Sequence, residues 1–101
     1  MIVRITPAGE AVLADAEDFR RFSVRFEPEA RGTGPAEAAL GQVARPDGDA
    51  AWVSEAALRR MAAREGDPEW EAGLGRMVAF ARSRGWVDEQ GGIRVHIEVP
   101  A

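Results

Sequence analysis

The sequence predicts an α+β fold, with a small antiparallel sheet of three or four strands and two main helices packed on one face. Three observations predict it. Residues 21–27 and 93–99 alternate apolar and polar side chains with the period of a half-buried strand. Residues 55–65 and 68–84 carry apolar side chains at helical spacing, each stretch behind a capping residue. Between these stretches lie turn residues rather than long apolar runs, so the elements are short and separate.

Taken in order, the β-branched residues 2–6 form a first strand, and Pro7-Ala8-Gly9 suits a type I turn. Ala11, Val12 and Leu13 form the return strand of a hairpin, and Asp15 caps a short helical turn over residues 16–19. In the strand 21–27, Phe22, Val24 and Phe26 share the buried face, while Arg21, Ser23, Arg25 and Glu27 share the wet one. Residues 28–35 are loop, and residues 36–43 form a short helix with Leu40 and Val43 inward. Pro46-Asp47-Gly48 is a turn, because proline fixes φ and glycine accepts a positive one.

Trp52 and Val53 are extended, and Ser54 caps a helix over 55–65 whose apolar stripe is Leu58, Met61 and Ala62. Asp67 and Pro68 start the next helix, which runs to about residue 84 with Trp70, Leu74, Met77, Val78 and Ala81 on one face. Gly73 and Gly75 each cost this helix about 1 kcal/mol relative to alanine, which close packing or a bend must offset. Gly85 ends it in the left-handed conformation, and Trp86 packs back on Phe80 or Ala81. In the last strand Ile93, Val95, Ile97 and Val99 point one way, and Arg94, His96 and Glu98 the other.

The 101 residues amount to one domain, residues 1–101. The chain has no Lys, Cys, Asn or Tyr, 13 Arg and 19 Ala, a bias expected of a GC-rich bacterial genome. These absences exclude much chemistry. Without lysine there is no Schiff base and no Gly-Lys-Ser/Thr phosphate loop. Without cysteine there is no disulfide, thiolate nucleophile or iron–sulfur cluster, and one histidine builds no multi-histidine metal site. No metal and no organic cofactor is expected. The start carries no signal-peptide pattern, and no window is apolar enough to span a membrane, so a cytoplasmic location is the default.

The polar face of the last strand is the first candidate site. Arg94, His96 and Glu98 lie two residues apart on one surface, joined by Arg25 if the strand 21–27 pairs nearby. Arginine captures carboxylates or phosphates bidentately, and histidine titrates near neutrality, so His96 is the candidate general acid or base beside a small anion. Ser23 shares the Arg25 face and is within reach of a pairing with His96. The plainer account is a solvated sheet face held by cross-strand ion pairs.

Other clusters say less. Asp15, Glu17 and Asp18, like Asp47 and Asp49, lack the calcium-loop pattern and read as capping and turn residues. Gly32-Thr33-Gly34 lacks the third glycine of a dinucleotide fingerprint. Trp52, Trp70 and Trp86 are expected in the core. A winged-helix DNA reader is disfavoured by Asp67, Glu69 and Glu71 at the start of its reading helix and by the net charge of −4.

The leading function is therefore a non-catalytic binding or accessory domain acting through a protein partner or self-association. A homodimer joined through an uncovered sheet edge is expected, with no nucleic acid and no membrane. The alternative is a small-ligand protein or cofactor-free acid–base enzyme using the Arg94, His96 and Glu98 face.

Overall fold

The computed structural model describes residues 1–99. β1 (Ile2–Ile5) and β2 (Ala11–Ala14) form the expected N-terminal hairpin, antiparallel with Val3 opposite Leu13. The chain then turns at Asp15 and runs back along residues 15–22. Asp15 takes a positive φ of 50°, and the Asp18 N–H donates to its carbonyl, so this segment is a turn and not the expected helical one. The Met1 ammonium donates to the carbonyls of Asp18 and Arg21, which ties the returning segment to the start of β1. β3 (Ser23–Phe26) consequently begins at the same end as β1 and lies parallel to it.

A third helix follows. α1 (Gly34–Val43) contains the expected stretch 36–43 and buries Ala36, Ala39, Leu40 and Val43. Thr33 caps it by accepting from the Ala36 N–H, so the glycine-flanked turn before it closes on its own side chain. β4 (Ala44–Asp47) and β5 (Ala50–Val53) form a second hairpin, with Gly48 at φ 63° in its two-residue loop. That is the position where a type II′ turn requires a positive φ.

α2 (Glu55–Ala62) begins at the Ser54 cap and stops short of residue 65, because Ala63 adopts the left-handed conformation at φ 53°. α3 (Pro68–Ser83) begins at Asp67, whose carboxylate accepts from the Glu69 and Trp70 N–H groups. Arg59 joins the two helices by pairing with Glu55 and Glu71. β6 (Ile93–Glu98) closes the fold between β3 and β5, parallel to the first and antiparallel to the second.

The sheet is thus six-stranded, mixed and curled, in the order β2-β1-β3-β6-β5-β4, with three helices. This corrects the expected antiparallel sheet of three or four strands under two helices; the α+β class stands. The alternation in residues 21–27 and 93–99 marked the faces of β3 and β6 correctly, except that Val99, expected on the buried face, lies past the end of β6 and is 50% exposed; it carried no information on direction or neighbours. β4 escaped notice because Ala44-Arg45-Pro46-Asp47 reads as a loop. Its proline is tolerated because β4 lies at the sheet edge, where a missing N–H breaks no shared ladder.

The core lies between the inner sheet face and the helices. Val3, Ile5, Val24, Phe26, Ala51 and Val53 come from the sheet, together with Ile93, Val95 and Ile97 of β6. Leu40, Leu58, Trp70, Leu74, Met77 and Val78 meet them from the helices. The five residues expected on the inner face of α3 are all buried there. Of the three tryptophans only Trp70 is core, its indole N–H donating to the Ala16 carbonyl at 2.8 Å. Trp52 is turned to the outer face by the alternation that buries Ala51 and Val53, and Trp86 is 41% exposed. Among the described residues no helix is long and apolar enough to cross a membrane.

Candidate functional site

The outer face of the sheet carries the side chains singled out by sequence. Register sets Arg25 opposite Glu98 and Ser23 opposite His96 on β3 and β6. On the other flank of β6, Ala50 lies opposite His96 and Trp52 opposite Arg94. The small residues Ser23 and Ala50 therefore flank the imidazole. A shallow open hollow of about 1120 Å³ lies here, lined among others by Arg4, Arg25, Arg31, Glu27, His96 and Glu98. The structure thus brings Arg25, His96 and Glu98 together. Arg94 is not part of this hollow; it sits toward the other end of β6, beside Trp52.

The electrostatics of the hollow do not favour an anion. Arg25 makes a forked contact with one Glu98 oxygen, Nε at 3.1 Å and Nη2 at 2.8 Å. Arg4 is paired with Glu27, and the Arg31 guanidinium stacks 5.5 Å from the centre of the Phe26 ring. Asp15 and Asp49 add two more carboxylates to the lining. Of the three lining arginines only Arg31 is without an ion pair among the described residues, against four lining carboxylates, so an incoming carboxylate would otherwise have to displace Glu98 or Glu27 from its arginine. His96 is exposed and has no hydrogen-bond partner among the described residues, Ser23 included. A general base needs a group that fixes its ring and tautomer; nothing on this face does so for His96.

A second surface went unnoticed in the sequence. At the C-terminal end of α3, Gly85 takes φ 76°, its N–H donates to Arg82 and the Trp86 N–H donates to Ala81 at 2.9 Å. This is the expected helix stop, and it sets Trp86 edge-to-face against Phe80 with ring centres 6.0 Å apart. The pair is not covered: Phe80 is 55% and Trp86 41% exposed. Beside it run two adjoining hollows of about 470 and 160 Å³ that share Phe19, Arg20, Met77 and Phe80. The larger extends toward Gly73 and Arg76, and the smaller toward Phe22, Trp86 and Arg94. Together they form a groove between α3 and the returning segment 17–22. The signal in the sequence was the pairing of Phe80 with Trp86, which reads equally as a helix-end contact. Phe19 and Phe22 come from a stretch with too little periodicity to place them.

Comparison with known protein families, curated proteins and solved structures finds no match.

Proposed function

We propose that this chain is a non-catalytic binding domain that engages a protein partner through the groove beside Phe80 and Trp86. The observation that carries this reading is the exposure of two large aromatic side chains over a floor of Phe19, Phe22 and Met77. Exposed apolar surface of this kind is costly in water, and aromatic and arginine residues are the groups enriched at the energetic centres of protein interfaces. The outer-face hollow supports a structural role instead, since Arg4 and Arg25 are already paired and His96 is unoriented.

The test is site-specific photo-cross-linking in cells, with a photoreactive phenylalanine analogue at position 80 and, as reference, at the exposed Val12 of β2. The reading requires a protein captured at position 80 and not at 12. The purified pair must then associate, and Phe80→Ser must weaken that association at least about tenfold, as expected for an interface anchor. Equal capture at both positions, or no effect of Phe80→Ser, overturns it.

A further inference from the structure

We infer that the occupant of the groove is a short acidic segment of the partner protein with one aromatic or branched aliphatic anchor; this rests on the protein-docking reading. Its warrant is the charge around the groove. Arg20 of the returning segment, Arg76 of α3 and Arg94 of β6 line the hollows, and Arg84, just past α3, stands over the Phe80 ring, so three separate stretches of chain bring arginines to one apolar surface. None of the four is in an ion pair among the described residues. The Arg84 guanidinium lies 5.1 Å from the centre of the Phe80 ring, which leaves its donors free at the groove rim.

Arg82 in the last turn of α3 and Arg84 at its C-cap also suit the helix dipole, but Arg20, Arg76 and Arg94 have no such reason to be there. In a chain of net charge −4, the smaller hollow is lined by Arg20 and Arg94 and by no carboxylate among the described residues, a local reversal of sign. Carboxylates spaced along a peptide meet them by forked hydrogen bonds. The smaller hollow, about 160 Å³, matches the size of an apolar cavity of ~150 Å³ that takes a benzene ring. A single anchor between Phe22, Trp86 and the start of β6 therefore fits, with acids to either side. Glu17 and Asp18 border the larger hollow, so the acids of the segment lie toward the smaller one, where Arg20 lines the wall and Arg84 stands over Phe80; nucleic acid is the weaker fit, because a phosphate chain carries charge at every residue and meets those two carboxylates as well.

The test measures fluorescence anisotropy of labelled twelve-residue peptides with the purified chain. One peptide carries Asp and Glu around a central Phe-Leu pair; a second replaces the acids by Asn and Gln, and a third by Lys. A single-stranded oligonucleotide is the fourth probe. The acidic peptide should bind at least about tenfold more tightly than the others and lose that advantage in high salt. Arg20→Glu and Arg94→Glu should each abolish the advantage, while Arg60→Glu on the exposed side of α2 should not, with circular dichroism showing all three folded. Equal binding of the acidic and neutral peptides, both lost in Phe80→Ser, overturns the acidic assignment while leaving protein docking intact. Preference for the basic peptide or the oligonucleotide, or no binding of the acidic peptide at millimolar concentration, overturns it as well.

Discussion

The Phe19 ring occupies the volume in which any residue other than glycine at position 73 would place its Cβ. This contact seats the returning segment 15–22 on α3, with the ring centre of Phe19 6.1 Å from that of Trp70. It also explains a helix with two interior glycines. At Gly75, by contrast, an added Cβ meets nothing within 4 Å.

Gly73→Ala and Gly75→Ala are therefore expected to have opposite signs. Alanine gains about 1 kcal/mol of helix propensity at either site. At 75 that gain is kept, and the urea midpoint should rise. At 73 the displaced ring costs about 1–3 kcal/mol, so the net change is a loss of up to about 2 kcal/mol. Equilibrium unfolding of the two variants checks this, and a stabilised Gly73→Ala protein would show that the Phe19 contact is soft.

The outer face makes a weaker demand. The Arg25/Glu98 pair is half exposed, at 51% and 42% for the two side chains, so a double-mutant cycle should return an interaction of about 0.2–1 kcal/mol, falling with salt. His96→Ala should change stability by less than about 0.5 kcal/mol, because the ring is exposed and unpartnered. It should also leave binding at the Phe80 groove unchanged. A loss of partner binding in His96→Ala, by titration calorimetry, would move the functional surface to the outer face.

The two faces of β6 were legible from residues 93–99 because a strict alternation admits one partition: Ile93, Val95 and Ile97 are buried and Arg94, His96 and Glu98 are not. The partners were not legible. Arg25 meets Glu98 only because residues 15–22 return to the start of β1 and make β3 parallel to its neighbours, and that return is held by main-chain carbonyls that leave no trace in side-chain patterning. The groove was half legible. The Trp86 contact with Phe80 followed from Gly85, but Phe19 and Phe22 reach the same surface through tertiary packing alone.

Asp88 supplies the pH dependence. Its carboxylate accepts from the Gly92 N–H at 2.7 Å, the Gln90 N–H at 3.0 Å and Arg45 at 3.3 Å. The Gly92 bond above all, with Arg45 and Gln90 adding to it, holds the carboxyl below its ordinary value. A carboxyl depressed in the folded state stabilises above its unfolded value, about 3.9, and ceases to do so as pH falls through the folded value. Asp88→Asn should therefore be less stable than the parent at pH 6, with the gap closing toward pH 2. Urea midpoints across that range test it. A gap independent of pH would mean that a neutral acceptor loses these bonds equally at every pH, and that charge plays no part.

Gly85 links stability to the proposed binding surface. Its φ of 76° is the reason that α3 stops where it does and that Trp86 folds back on Phe80. Nothing lies within 4 Å of an added Cβ, so Gly85→Ala meets only the backbone cost of a left-handed residue, about 1–2 kcal/mol. Asparagine tolerates that conformation better, and Gly85→Asn should recover part of the loss. If the aromatic pair is the docking surface, Gly85→Ala should also weaken partner binding at temperatures where the chain is still folded, because the Trp86 ring is no longer held against Phe80. Thermal melts paired with titration calorimetry separate the two effects: a stability loss with undiminished binding would show that the helix stop supports the fold alone.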